Sequence, residues 1–430
     1  MRLFHKTRQA AFLLLLVTFA GSTLAQDFQR SRPDRLGFDR ERLGELDSVL
    51  QSYVDNEQIA GSVTMVLRDE RIAYASAKGW QDREAGIVMS EDSMLRIASF
   101  TKATIAIGIM ILHERGELNI ADPLSKYLPE WANAKVGVPD DNGGYTLEAL
   151  NRPINLRDML THTSGIGYGG FASNNPVNNA WREAGITSYY LSSRPEGIRE
   201  TVRKMASLPL EAQPGQQWIY GYNFDILGAV IEVASGKPLD QFLDEELFTP
   251  LGMDDTHFFV PEAKASRLAT LYRGNGDGGI EPAPDTNTPQ GQGQFDSGPM
   301  ATFSGGAGLV STADNYARFL QMTLNGGELN GNRILGPKTI ELITSDHLRD
   351  IPFNPGTGNG LGFSVLKDLG ARGTMGSLGE YGWGSAYHGT YWVDPVENLV
   401  VVYLTQTVAP DPGLDDFQKL RARLYSAIVE

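Results

Sequence analysis

Ser99-Phe100-Thr101-Lys102 opens directly onto Ala103-Thr104-Ile105-Ala106-Ile107-Gly108-Ile109-Met110-Ile111-Leu112. The apolar run from Ala103 to Leu112 is long enough to predict a buried helix. Residues three apart share a helix face, so the Lys102 ammonium can reach the Ser99 hydroxyl. A serine hydroxyl is a poor nucleophile near neutral pH and needs a neighbouring base. Here the neighbour is built into the same helix. A serine at this position also meets free backbone N–H groups and the positive end of the helix dipole, which favour a developing negative charge. The bare S-x-x-K pattern is weak, since a chain this long contains it roughly once by chance. It fits an ordinary exposed helix start as well, so the rest of the chain must decide.

The chain has 430 residues, a net charge of −15 and no cysteine. It begins with a basic stretch, Met1 to Arg8, followed by the apolar Ala10 to Ala20 and the small residues Thr23 and Ala25. That order predicts a secretory signal peptide over 1–25, cut after Ala25. Its apolar core is too short to span a bilayer, so no membrane insertion of the mature chain is expected. Removing those residues, with Arg2, Lys6 and Arg8, leaves 405 residues at a charge of −18 and an exported, periplasmic or secreted protein. Such acidity disfavours nucleic acid and anionic lipid as partners. The absence of cysteine excludes a thiol nucleophile and thiolate metal sites, and leaves stability to packing alone.

Gly61 to Leu67 and Arg71 to Ala77 alternate and are β-branched around Asp69-Glu70, which predicts a hairpin. Phe38 to Tyr53, Phe224 to Ala234 and Leu414 to Val429 carry helical patterns, the second stopped by Gly236 and Pro238. Gly389 to Val393 and Leu399 to Thr405 read as strands about an Asp394-Pro395 turn. Residues 26–40 read as a leader onto the fold. Asp140 to Gly144, Pro176 to Asn179, Arg194-Pro195 and Gly356 to Gly360 read as loops, and 270–300 as a long loop placed over a site. Strands near both ends with helices between them predict an α+β fold. An antiparallel β-sheet flanked by helices would be completed by the two termini, around a mostly helical subdomain. We expect one unit over 26–430, with an α/β part at about 26–98 and 301–430 and the helical part at about 99–300.

Three further stretches bear on Ser99. They are Leu160-Thr161-His162-Thr163-Ser164-Gly165, then Pro214-Gly215-Gln216-Gln217-Trp218-Ile219-Tyr220 leading into Leu227-Gly228, and Ser304-Gly305-Gly306 running to Ala313. With the S-x-x-K these resemble the serine β-lactamase-like superfamily, which holds class C β-lactamases, D-alanyl-D-alanine carboxypeptidases and family VIII carboxylesterases. The resemblance runs from about Gly61 to about Thr405, and Asn325-Gly326-Gly327 and Val393-Asp394-Pro395 extend it.

The resemblance implies that Ser99 is acylated, with Lys102 as its partner. Tyr220, at the tyrosine of the family's Tyr-x-Asn element, would relay the proton to the leaving group. The question of which of Lys102 and Tyr220 is the base stays open. A free tyrosine has a pKa near ~10, too high for a base at neutral pH, but a close cation favours the phenolate. The family's Lys-Thr-Gly strand corresponds best to Trp383-Gly384-Ser385, similar to the Trp-Gly-Gly variant of family VIII esterases. The backbone N–H groups of Ser99 and Ala386 would then form the oxyanion hole. Tyr222 replaces the asparagine of Tyr-x-Asn, with Asn223 one place on, and Trp383 replaces the lysine. Both substitutions remove polar contacts to β-lactams and leave no obvious cation for a substrate carboxylate. Tyr222, Asn223, Trp383, Gly384, Ser385 and His388 are therefore expected to line a site for a small-molecule ester of short or medium acyl chain. The alternatives are a class C-like β-lactamase or D-alanyl-D-alanine carboxypeptidase, and a binding or scaffold relative with a decayed site, against which the intact Ser99, Lys102 and Tyr220 argue.

His388 could head a His-Gly-Thr element or be a site-rim or structural histidine, and His162 reads as tying its loop by hydrogen bonds. No Gly-x-Ser-x-Gly occurs, and His113-Glu114 lacks a second histidine at helical spacing. No metal or cofactor is expected. The oligomeric state is open.

Overall fold

The computed structural model describes residues 27–430 apart from 170–174, 187, 189, 289 and 299. The expected signal peptide lies outside the described residues. The central sheet has nine strands. Gly61–Arg68 and Arg71–Asp82 form the expected hairpin, with Asp69 and Glu70 both left-handed at φ 51° and 59°. A two-residue turn of this hand usually employs glycine. Here Asn398 braces it, accepting from the Asp69 N–H at 3.2 Å and donating from its side chain to Asp69 Oδ1 at 3.2 Å.

Leu399–Thr405 pairs antiparallel with Gly61–Arg68, so the two ends of the chain meet in mid-sheet. Gly389–Asp394, Tyr381–Ser385, Ser364–Leu366 and Thr357–Asn359 continue outward on the C-terminal side. One pair departs from the antiparallel expectation. Gln29–Arg30, inside the presumed leader, runs parallel to Arg71-Ile72.

Strand alternation sorts the core into two layers. Val66, Trp392, Leu399, Val401 and Tyr403 face the helices Arg40–Asp55 and Asp416–Ser426 through Leu43, Leu46, Leu50, Leu420 and Leu424. Val63, Met65, Leu67, Val400, Val402 and Leu404 belong to the larger core on the other face, with the helices Thr101–Glu114 and Ala313–Leu324. Burial on both faces explains why these strands read as nearly continuous apolar runs. The Thr101–Glu114 helix is buried from Thr101 through Leu112, as its all-round apolar sequence requires.

Three segments differ from expectation, while Asp140 to Gly144 is a loop as expected. Pro176–Glu183 is a helix, with the Asn175 side chain accepting from the Val177 N–H and Pro176 in the first turn, where its missing N–H costs nothing. Asp140 to Gly144 is the turn of a hairpin, Lys135–Pro139 with Tyr145–Ala149. Thr357–Asn359, in the supposed Gly356 to Gly360 loop, is an edge strand. The 270–300 stretch carries the hairpin Tyr272–Gly274 and Ile280–Pro282, which pairs with Thr407–Val408. The buried Arg96 guanidinium ties this stretch down by donating to the carbonyls of Ala269 and Gln292.

Candidate active site

Ser99 sits in a short 3-10 turn, Ala98–Phe100, that runs straight into the buried helix. From Ser93 to Leu112 every residue but Ser99 is buried. Ala98 takes a left-handed φ of 40°, costly for a residue with a side chain. It is held there by packing against Leu271, Ala283, Ala307, Tyr387 and Val408. The turn therefore presents one hydroxyl to solvent from an otherwise sealed element.

Two groups converge on that hydroxyl. Lys102 Nζ donates to Ser99 Oγ at 3.1 Å, as the spacing predicted, and also to the Gly306 carbonyl at 2.7 Å. The Tyr220 hydroxyl donates to Ser99 Oγ at 2.7 Å. Lys102 Nζ lies 4.7 Å from the Tyr220 ring centroid and 5.9 Å from that of Tyr168, so aromatic faces screen the ammonium. Lys102 itself is 2 % exposed. Among the described residues no carboxylate hydrogen-bonds to its Nζ; a carbonyl, a hydroxyl and π faces surround the charge. Tyr220 ends a loop that turns into the helix Asn223–Ser235. Gly221 is needed there because a Cβ would sit 2.2 Å from the Ile166 carbonyl oxygen.

The open side of the site is aromatic. Trp383 Nε1 donates to the Tyr220 hydroxyl at 3.4 Å, and Trp218 stacks on the Tyr220 ring with centroids 5.7 Å apart. Beside the two tryptophans lies a cleft of about 350 Å³, lined also by Phe353, Gly384, Arg372 and Arg421. Arg421 is engaged by Glu380 at 2.7 and 2.8 Å. Two guanidinium groups, Arg372 and Arg421, thus line the cleft beside the tryptophans, the second paired with Glu380. Ser385 is partly exposed, and Gly384 and Ala386 are exposed at the end of the Tyr381–Ser385 strand. Among the described residues, no turn, loop or cap bond uses the backbone N–H of Ser99 or Ala386.

Three expected lining residues are placed elsewhere. Tyr222 has no exposed surface; it stacks on Trp181 and meets Tyr168 edge-on, as internal packing. Asn223 is likewise fully buried. Its side chain accepts from Ser164 Oγ at 2.5 Å and donates to His162 Nδ1 at 3.0 Å and the Ile166 carbonyl at 3.3 Å. Asn223 therefore ties the His162-Thr163-Ser164-Gly165 turn to the Tyr220 helix. His388 turns to the C-terminal helix, its Nε2 bonded to Asp416 at 2.9 and 3.0 Å and its ring stacked on Phe417 at 4.2 Å. It braces the strand end behind Ala386.

Sequence reasoning missed Tyr168 and the Gly306 carbonyl as parts of the site. It took His162 for a loop tie, yet the ring also packs 4.7 Å from Tyr220, centroid to centroid. Burial, and then the nearby Lys102 charge, hold its pKa well below the usual 6.5, so the ring is neutral at physiological pH. The signal for Gly306 was present in the Gly305-Gly306 pair. A Cβ on Gly305 would come 2.4 Å from the Phe224 carbonyl oxygen, a close approach only glycine allows.

A serine hydroxyl reached by an amine and a phenol, with tryptophans and a mixed polar and aromatic cleft on its open side, is the layout of a covalent acyl-transfer site. The beta-lactamase family model matches residues 46–424. The chain belongs to this family of serine β-lactamase-like hydrolases. Esterase EstB of Burkholderia gladioli is 32 % identical over 385 residues, 84 % of this chain and 90 % of that protein. Protein Rv1367c of Mycobacterium tuberculosis strain H37Rv is 33 % identical over 381 residues, covering 85 % and 90 %. The solved structure of EstCE1, described as a hydrolase with promiscuous acyltransferase activity, superposes with a TM-score of 0.74 at 29 % identity, covering 90 % of this chain and 99 % of that one.

Proposed function

We propose that this protein is an exported carboxylesterase that hydrolyses short to medium acyl esters through an acyl-enzyme on Ser99. The observation that carries this reading is the convergence of Lys102 and Tyr220 on one exposed serine oxygen, with Trp383 in the position where β-lactamases of the family carry lysine. Ser99 Oγ attacks the ester carbonyl carbon, and its proton is taken by the Lys102–Tyr220 pair, acting with one of the two deprotonated, and handed on to the departing alkoxide. Water then attacks the acyl-enzyme, its proton passing through the same pair to Ser99 Oγ as the acid leaves. The N–H groups of Ser99 and Ala386 would hold the oxyanion, where losing one donor typically costs ~10²–10³ in rate. The cleft of about 350 Å³ lies at the small end of ligand pockets and suits a compact acyl group. The likeness to Esterase EstB supports an ester as substrate.

The test compares kcat/KM for p-nitrophenyl butyrate and for nitrocefin on one purified preparation. A preference for the ester by several orders of magnitude supports the proposal. Equal or better cephalosporin turnover replaces it with a β-lactamase, and Arg372 or Arg421 would then be the group that receives the carboxylate.

A further inference from the structure

Asp225 lies in the first turn of the helix that follows Tyr220 and is fully buried. Its Oδ1 accepts from Ser304 Oγ at 2.6 Å and from the Gly306 N–H at 3.1 Å. Its Oδ2 is buried with no hydrogen-bond partner among the described residues. Gly306 is the residue whose carbonyl receives Lys102 Nζ at 2.7 Å. One peptide unit away from the amine, its amide is therefore pinned by a carboxylate. The absence of a side chain on Gly306 is what admits this contact, because a Cβ would sit 2.3 Å from Asp225 Oδ2.

A buried carboxylate with a bare oxygen is expensive unless a cation shares its low-dielectric surroundings. The titratable groups around this pair are Lys102 from the Ser99 helix, Tyr222 beside Asp225, and Tyr220 and His162 beside Lys102. Lys102 is the cation among them. Burial raises the Asp225 carboxyl above its usual value, while the Ser304 hydroxyl, the Lys102 charge and the Gly306 N–H pull it down.

We propose that Asp225 is a positioning residue for Lys102: it balances the ammonium charge from below and, through Gly306, fixes where Nζ stands against Ser99 Oγ. This rests on the reading of Ser99 as the acylated group. It adds a buried carboxylate to a site whose open side carries Ser99, Tyr220, Trp218 and Trp383. In this arrangement Asp225 and Gly306 together hold Lys102 Nζ against Ser99 Oγ.

The experiment follows the labelling rate of Ser99 by a fluorescent fluorophosphonate, together with kcat and KM for p-nitrophenyl butyrate, from pH 5 to 9. The probe needs an activated serine but no particular ester, so loss of the esterase reading and loss of this one are separable. Asp225→Asn keeps the shape and removes the charge. We expect labelling and kcat to fall about 10–100-fold at pH 7 with KM within about twofold. One limb of the pH profile should also move, because removing a buried negative charge changes the field on the ionisable groups around Ser99. Ser304→Ala keeps the charge and should leave both limbs in place. Unmoved limbs in Asp225→Asn, or an equal shift in Ser304→Ala, overturns the proposal. Should Asp225→Asn not fold, carbon-13 NMR of the wild-type aspartate carboxyls decides: an ionised Asp225 at pH 7 supports the charge pair, and a protonated one overturns it.

Discussion

The two sides of the Ser99 hydroxyl are built on different physics. Below it, Lys102, Gly306, Asp225 and Ser304 form a buried polar network in which Lys102 Nζ and Asp225 Oδ1 each serve two partners. Above it, Tyr220, Trp218 and Trp383 form a half-exposed aromatic wall held by ring contacts and one long hydrogen bond. The buried side sets proton positions, which tolerate little displacement, since low dielectric makes each unpaired group costly. The aromatic side sets shape, which can change while the chemistry survives. The buried side should therefore govern kcat and stability, and the aromatic side KM and substrate choice.

The sharpest way to break this division is at its centre. Ser99→Ala should lower p-nitrophenyl butyrate turnover by at least about 10⁴-fold, the scale seen when a nucleophile is removed. Turnover that persists means that the site lies elsewhere. Next come Lys102→Met and Tyr220→Phe, each expected to cost about 10²–10⁴ in kcat with little change in KM. A Tyr220→Phe enzyme that loses only affinity would move Tyr220 into the aromatic wall.

Asn223→Leu removes the bonds to Ser164, His162 and Ile166 from a sealed position. We expect a loss of about 1–3 kcal/mol in urea unfolding, from the polar partners left unpaired. Trp383→Ala should raise KM about tenfold, roughly 1.4 kcal/mol. Its melting temperature should stay near wild type, because Trp383 is only partly buried.

The smallest effect is a pH slope. The folded-state pKa of His162 is depressed, so the unfolded chain binds its proton first as pH falls. The stability this residue contributes is present above pH about 6.5 and declines below it. Unfolding midpoints between pH 7.5 and 5.5 should fall less in His162→Gln than in wild type. Equal slopes would mean that the His162 ring is charged in the folded protein.

The Ser99 and Lys102 pair was legible because it is local: three residues of helix bring the two groups together wherever the helix goes. The strands Gly61–Arg68 and Leu399–Thr405 were legible for a similar reason, as period-two patterns with strong turns between them. Tyr220 was found from its motif, by resemblance. Tyr222 and Asn223 were misjudged because their spacing from Tyr220 says nothing about which way the chain turns. Gly221 lets the loop dive at that point, carrying both side chains into the core. His388 was drawn off by Asp416, 28 residues further along the chain.

By itself, then, the sequence determined the helix that carries Ser99, the mid-sheet strands and the α+β class, since each depends on short-range periodicity. Only the tertiary structure decided that Gly306 would receive Lys102, that Asp225 would stand behind it, and that Trp218 and Trp383 would flank Tyr220. Those neighbours come from segments tens to hundreds of residues apart. No local preference encodes such contacts; they are selected by the packing of the whole core and the pairing of its buried polar groups.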